Sequence, residues 1–555
     1  MDQNKTEELF IFEQNGYRVT EQMLAMPDGV RLYTRCILPG QGDTFPVIFT
    51  RTPYDPVALP SPFGVSKGWY ARSYAPYLSH GYALVHQHCC GTGMSEGEFS
   101  AYMRERGDGL ATLDWIRSQP FYNGEIYVMG ASYTSFVHLS YLDSADDIKG
   151  AALSVEPASM YKGYHEHGVF KKDIHFGWFM DHYHKKSLNT EALREKRSEA
   201  MRLRPVTDVA RFVYGEDVPE FTEMMRSENE EDAYWQAHDY PHVRASMKSM
   251  RAPVLLFDGW YDIYINTMFD MWNELPAQTR AQSAMIVGPW NHSMNLHAMT
   301  EEEIAKLGLS DGEMEQDEII LRWFEHIRGK GAPLLAEPGR VRYYRIGQGW
   351  QTARVVSADA YKTLYLSDGG ALCGQPGAET ELSYRYDPDD PAYFPGGQDA
   401  FNTQPTGLVR QGEQNMRPDV LSFVSAPLPD AVTVEGEIEA ALTVKSDCAD
   451  TAFFIRVSAV KGGDTWVMRD TIFTLDRETG GYTPGSAVQV TVHTAPVSWR
   501  LEKGDRIRVD VSSSNFPTYA AHTNTKGNWA EQAEAKVAQN TVLCGKSWLK
   551  LPVRG

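Results

Sequence analysis

The segment Ile126-Tyr-Val-Met-Gly-Ala-Ser-Tyr-Thr-Ser135 carries an apolar stretch into Gly130-Ala-Ser132 and then into a helix-like run through Phe136, Val137 and Leu139. A strand that turns sharply into a helix at a serine is the setting of a nucleophile elbow, which lifts the serine Oγ above the end of a sheet. Small residues are needed around such a turn because backbone segments approach closely there, and Gly130 and Ser135 are small. The residue two after the serine, commonly a second glycine, is Thr134, so the plain G-x-S-x-G pattern is not met. Taken alone, the segment could also be a strand-to-helix turn with an incidental serine.

A serine hydroxyl is a weak nucleophile at neutral pH; it needs a base within hydrogen-bond reach and a third group that fixes the base's tautomer. In a sheet of this type the acid and then the histidine follow the serine in chain order, each at a later strand end. The chain supplies both. Phe257-Asp-Gly-Trp-Tyr-Asp262 follows the apolar run Val254–Phe257 and offers two acids, Asp258 and Asp262, while Gly288-Pro-Trp-Asn-His292 follows Met285–Val287. Sixteen histidines occur, so position rather than residue type singles out His292. Two other histidine groups, His165-Glu-His167 and Asp181-His-Tyr-His184, have a spacing that suits helix or strand but not the i, i+4 pair of a helical zinc site. No metal and no cofactor is expected.

The elements that must position these residues follow from periodicity. Phe45–Phe49, Tyr82–His86 and Ile126–Met129 read as buried strands, and Asp108–Ile116 reads as a helix with Leu110, Leu113 and Ile116 on one face and Pro120 beyond its end. Strand, helix, strand implies a parallel sheet, and the same texture returns at Pro253–Phe257 and Ala284–Gly288. Between them, residues 150–248 read as an inserted helical cap, with a capped helix over Thr190–Met201. Tyr161, Tyr164, Phe170, Phe176, Trp178, Phe179 and Tyr183 cluster there, and Trp260, Tyr264 and Trp290 flank the acid and the histidine. Trp178, Phe179, Trp260, Tyr264 and Trp290 are candidate walls of an acyl pocket, although aromatic clusters serve more often as plain core. From about residue 351 helical periodicity nearly vanishes; Val488–Val492 and Arg506–Val511 alternate as strands between Gly, Pro and Asp turns, so 351–555 reads as an all-β sandwich.

A chain of 555 residues exceeds the size at which a single core keeps growing, so two or three domains are expected. Hydrophobic residues at 42% are ordinary for a globular protein, and no run of about 18 apolar residues is present to span a membrane. The polar, acidic start MDQNKTEELF lacks the features of a secretory signal, which points to a cytoplasmic location. The six cysteines, including the adjacent Cys89 and Cys90, read as free, buried thiols. A net charge of −20 without a basic stripe excludes nucleic acid as a partner; a homo-oligomer is left open.

Four blocks, Arg51-Thr-Pro-Tyr54-Asp, Gly130-Ala-Ser-Tyr133, Gly259-Trp-Tyr-Asp262 and Gly288-Pro-Trp-Asn-His292, resemble the signatures of the cocaine-esterase/X-prolyl dipeptidyl-peptidase hydrolases, the CocE/NonD family. Ser95-Glu-Gly-Glu-Phe99, Tyr386-Asp-Pro-Asp-Asp-Pro391 and the stretch from Gly504 to Pro517 resemble it too, so the likeness runs nearly the whole chain. The resemblance implies an α/β-hydrolase domain (1–149 and 249–350), an inserted helical cap domain (150–248) and a C-terminal jelly-roll domain (351–555). It implies nucleophile Ser132, acid Asp262, base His292, and an oxyanion hole made by the Tyr54 hydroxyl and the Tyr133 backbone N–H. Where the family commonly has an Asp and an Arg-Gly pair, this chain has Gln87-His-Cys-Cys-Gly91, so their salt bridge does not carry over. No carboxylate stands beside the nucleophile, which speaks against a substrate whose amine needs a nearby anion.

The sequence therefore predicts a serine hydrolase acting on a small-molecule acyl ester or amide through an acyl-enzyme at Ser132. An X-prolyl dipeptidyl-peptidase is the alternative within enzymes, with Glu166 or Asp173 as the anion that meets the peptide's amino terminus. A binding module with a vestigial triad, its sandwich recognising a glycan or peptide, is the alternative from another class.

Overall fold

The computed structural model describes residues 7–14, 16–54, 74–182, 191–297, 299–398, 405–412 and 417–555. Tyr183, His184 and Thr190 lie outside the described residues. In chain order the first strands are β1 (Glu7–Gln14), β2 (Tyr17–Ala25), β3 (Arg31–Leu38), β4 (Phe45–Thr52), β5 (Ala83–His88), β6 (Tyr122–Ala131) and β7 (Ile148–Ser154). A two-strand hairpin, β8 (His165–Glu166) and β9 (Val169–Phe170), precedes β10 (Val254–Gly259), β11 (Ala284–Gly288), β12 (Arg340–Arg345) and β13 (Gly349–Ala353). Apart from the hairpin, these strands form one sheet in the order β1-β2-β3-β5-β4-β6-β7-β10-β11-β12-β13. The run from β5 to β12 is parallel throughout and the flanks are antiparallel.

Parallel strands covered on both faces should be apolar without alternation. Every residue of β5, β10 and β11 is buried, as that rule requires. Helices α1 (Ala75–Ser79), α2 (Glu105–Ser118) and α3 (Tyr133–Leu139) lie in the connections that lead into β5, β6 and β7. Because the central strands are parallel, their C-terminal ends share one edge: Ala131 of β6 pairs with Ser154 of β7, and Gly259 of β10 with Gly288 of β11. Ligands of open parallel sheets bind at such an edge.

Between β7 and β10 the chain is mainly helical, with helices at Lys172–His182, Glu191–Ala200, Pro219–Arg226 and Tyr240–Ser249. The expected joins at 149/150 and 350/351 fall inside β7 and β13. A change of texture marks such a join only coarsely, because a short strand such as Ala151-Ala152-Leu153 carries too weak a periodic signal to place it.

From Ala360 to Arg554 the described strands are hydrogen-bonded into a second, twelve-stranded sheet. Its strand Val488–Leu501 alternates at first, with Val490 and Val492 buried and Gln489 and Thr491 exposed, as a half-covered strand should. One continuous apolar core runs through both sheets and the helical segment. All six cysteines are free thiols, and five of them are buried.

Candidate active site

Ser132 stands between β6 and α3 with φ +55° and ψ −134°, a conformation that costs a non-glycine residue about 1–3 kcal/mol. The backbone on either side explains how it is held. Ser132 N–H donates to the Ser154 carbonyl at 2.9 Å, fastening the turn to the end of β7. A Cβ added at Gly130 would lie 2.0 Å from the Thr134 carbonyl oxygen, so only glycine fits there. Thr134, in the place of the second glycine, closes the turn with its hydroxyl, which accepts from Ala131 N–H at 2.6 Å and donates to the Ala131 carbonyl at 2.7 Å.

The acid and histidine loops meet the serine at the same edge. His292 Nε2 lies 3.1 Å from Ser132 Oγ, and His292 Nδ1 lies 2.5 Å from Asp262 Oδ2. Asp262 Oδ1 accepts from Tyr264 N–H at 2.7 Å, which fixes the carboxylate plane. The two loops are laced together: Trp260 N–H donates to the Gly288 carbonyl and Tyr261 N–H to the Trp290 carbonyl, both at 2.9 Å. Asp262 is fully buried and His292 nearly so, whereas Ser132 keeps some exposure. The arrangement can pass a proton from a hydroxyl to an imidazole backed by a carboxylate.

Of the two acids that the sequence offers, Asp262 faces the histidine. Asp258 lies within β10 and accepts from Gly259 N–H at 2.7 Å. Burial, and then the neighbouring Asp262 carboxylate, push Asp258 well above the usual carboxylate range, with Arg469 opposing. A third buried acid, Glu156, follows β7; burial and then Asp262 push it upward.

Tyr133 follows the serine directly, and Tyr54 lies on the loop after β4. Phe49 pairs with Val128, which sets Thr52 level with Ala131, so the loop after β4 that carries Tyr54 emerges beside the serine turn. The Tyr54 ring packs edge-on to His182 with centroids 5.4 Å apart. The Tyr133 N–H opens α3, so it has no intrahelical acceptor. The Tyr133 side chain is anchored separately, its hydroxyl donating to Glu105 Oε1 at 2.9 Å and accepting from Tyr102 N–H at 3.0 Å.

Behind this anchor lies a buried network that the sequence did not announce. Arg51 Nη1 pairs with Glu105 Oε2 at 2.9 Å, and Arg51 Nε donates to Gln87 Oε1 at 2.9 Å. Burial raises Glu105 and Arg51 opposes it. An ion pair is thus present here, with Gln87 accepting from its arginine. Arg51 stands in the Arg-Thr-Pro-Tyr block, and that block was the one signal that could have pointed to it.

The aromatic candidates divide. The Trp178 ring stacks on Tyr133, the residue after the serine, with centroids 5.3 Å apart, and Tyr264 lies 5.8 Å from the His292 ring. Phe179 packs inward against Phe221. Trp260 and Trp290 turn into the core, their indole N–H groups donating to the carbonyls of Tyr344 at 2.6 Å and Gly312 at 2.8 Å. Of the other cap aromatics, Tyr164 bonds Tyr102 hydroxyl to hydroxyl at 2.9 Å, Tyr161 stacks on His165, Phe170 stacks on Trp529 and Phe176 meets Phe221. The paired histidines are spent separately: His165 on the Tyr161 carbonyl and His167 on the His493 carbonyl, each at 3.1 Å.

Comparison with known proteins finds two family matches in tandem. Residues 28–294 match the X-Pro dipeptidyl-peptidase (S15) family, and residues 336–548 match the X-Pro dipeptidyl-peptidase C-terminal non-catalytic domain. The cocaine esterase of Rhodococcus sp. (strain MB1 Bresler) is 27% identical over 551 residues, covering 91% of this chain and 92% of the esterase. Among solved structures, an α-amino acid ester hydrolase superimposes with a TM-score of 0.81 at 21% identity, covering 98% of each chain. An aminopeptidase from a marine sediment archaeon, Thaumarchaeota archaeon, gives the same TM-score and the same coverage at 19% identity.

Proposed function

Because the chain belongs to the CocE/NonD, X-Pro dipeptidyl-peptidase-like family of serine hydrolases, we propose that it cleaves an acyl ester of a small molecule through a covalent intermediate on Ser132. The observation that carries this reading is the unbroken relay from Ser132 Oγ to His292 Nε2 at 3.1 Å and from His292 Nδ1 to Asp262 at 2.5 Å. In this reading the first sheet with its helices is an α/β-hydrolase domain, residues 150–248 are its cap and the second sheet is a jelly roll.

His292 removes the Ser132 proton as Oγ attacks the acyl carbonyl, and Asp262 holds the ring in the tautomer that leaves Nε2 free to accept. The carbonyl oxygen becomes an oxyanion, which the Tyr133 N–H and the Tyr54 hydroxyl receive. Donors fixed at that point lower the barrier by about 3–4 kcal/mol each in a dry site. His292 then gives the proton to the leaving alkoxide, and water repeats the sequence on the acyl-enzyme. Amide cleavage would use the same groups with a poorer leaving group. Trp178 and Tyr264 border the acyl position.

The dipeptidyl-peptidase alternative needs an unbalanced anion for a peptide amine. Glu166 is already engaged, by Lys171 Nζ at 3.5 Å and by the Thr471 hydroxyl at 3.1 Å. This removes Glu166 as that anion, which leaves Asp173 as the candidate of the dipeptidyl-peptidase reading. A fluorophosphonate probe should label the protein and fail to label a Ser132→Ala variant, and p-nitrophenyl esters should turn over faster than Xaa-Pro anilides. Labelling that survives in the variant would overturn the nucleophile, and fast anilide cleavage with inert esters would overturn the substrate class.

A further inference from the structure

Arg469 lies on the strand Asp464–Thr474 of the second sheet and is 1% exposed, yet no carboxylate among the described residues comes within ion-pair distance of it. Leaving a buried guanidinium without a salt bridge is costly, so its surroundings must hold it by other means. They do so with backbone carbonyls. Nη1 donates to the Trp260 carbonyl and Nη2 donates to the Pro496 carbonyl at 2.5 Å. The guanidinium carbon also sits 5.9 Å from the centre of the Tyr261 ring.

Trp260 and Tyr261 are the two residues immediately before Asp262, and the C-terminal region grips this loop at three points, two from the second sheet and one, Gln398, from the segment between the strands Thr380–Tyr386 and Arg410–Gln411. Besides Arg469, the Tyr261 hydroxyl donates to the Val467 carbonyl at 2.9 Å, and Gln398 Nε2 donates to the backbone carbonyl of Asp262 at 3.3 Å. The histidine loop is held from the same side, by Asn291 Nδ2 donating to the Thr406 hydroxyl at 2.8 Å. The C-terminal region, which supplies no group to the relay, therefore fixes the loops carrying two of its members. Arg469 is the one cation among these grips.

We propose that Arg469 is a positioning residue for the reaction: from the second sheet it sets the Trp260–Asp262 loop at the distance His292 requires and supplies a fixed positive charge beside the buried acid pair Asp258 and Asp262. The inference rests on the relay described under the proposed function. The ionisable groups facing Arg469 are Tyr261, Asp470, Glu166 and Tyr519, and those facing the acid pair also include Glu156 and His292. Asp470 is already paired with Arg456 at 2.5 Å and Glu166 with Lys171. Deleting the Arg469 charge should therefore be felt by the acid pair and not be absorbed by a partner.

Two substitutions separate geometry from charge. Arg469→Lys keeps the charge but cannot bridge the Trp260 and Pro496 carbonyls together; kcat on a p-nitrophenyl ester should fall about ten- to a hundredfold with KM little changed, and the acid limb of the pH profile should stay in place. Arg469→Met removes the charge as well. Any proton gained beside the acid pair adds positive charge, which a buried guanidinium opposes, so in the methionine variant the acid limb should move to higher pH by about half to one unit. Circular dichroism and fluorophosphonate labelling of both variants report whether fold and Ser132 survive; if the methionine variant does not fold, the lysine variant alone decides through kcat and KM. Unchanged kcat in a folded Arg469→Lys protein, or an acid limb that does not move in folded Arg469→Met, would overturn the proposal. A wild-type protein inert to the probe would instead overturn the relay on which it rests.

Discussion

Replacing Asp262 by asparagine separates the two buried acids and puts a magnitude on the relay. The amide has nearly the volume of the carboxylate, and its oxygen can still accept from Tyr264 N–H, a bond of 2.7 Å in the parent. Its NH2 would then face His292 Nδ1, where a carboxylate oxygen now sits at 2.5 Å. A donor at that point stabilises the tautomer with its proton on Nε2, the nitrogen 3.1 Å from Ser132 Oγ, which then has no lone pair for the serine proton. Loss of the correct tautomer in such a triad lowers kcat by about 10⁴, or about 5.5 kcal/mol of barrier. Asp258→Asn should behave differently. Burial and the Asp262 charge already favour a protonated Asp258, which an asparagine mimics, so kcat should stay within about threefold of the parent. The assay is steady-state hydrolysis of a p-nitrophenyl ester by both variants, with melting curves to confirm folding. An Asp262→Asn enzyme that keeps more than about a tenth of the parent rate, or an Asp258→Asn enzyme equally impaired, would refute the assignment of the acid.

Two further outcomes are expected. Tyr54→Phe removes one oxyanion donor without changing the ring that packs on His182, so kcat should fall about 10²- to 10³-fold with KM nearly constant; an unchanged kcat would remove Tyr54 from the mechanism. Glu156 has a folded-state pKa raised above its unfolded value, so it contributes no penalty below the unfolded value and stability is lost as the pH rises through the folded one. Glu156→Gln should therefore raise the melting temperature near about pH 8 and leave it unaltered near about pH 4, and an equal effect at both would contradict the assignment of its protonation.

Local order carries sequence information, and here it carried a good deal. The strands β4, β5, β6, β10 and β11 and helix α2 are legible because apolar periodicity is imposed by burial on each element separately. Ser132, Asp262 and His292 stand out in the sequence for the same reason, since each follows a buried strand and the backbone alone fixes that position. Even Gly130 is explained locally, by the close return of the Thr134 carbonyl.

What the chain order could not express was decided by contacts between distant segments. Asp258 and Asp262 are four residues apart, and only the path of the loop across the end of β10 turns one toward His292 and leaves the other buried beside it without that contact. Trp260 and Trp290 flank the acid and the histidine in sequence, yet their indoles serve Tyr344 and Gly312 carbonyls because tertiary packing, not adjacency, selects the partner of a buried donor. Arg51 with Glu105, and Arg469 with Trp260, join residues 54 and 209 positions apart. No periodicity or spacing rule couples such pairs, because the energy that joins them arises only when folding removes both partners from water at the same place.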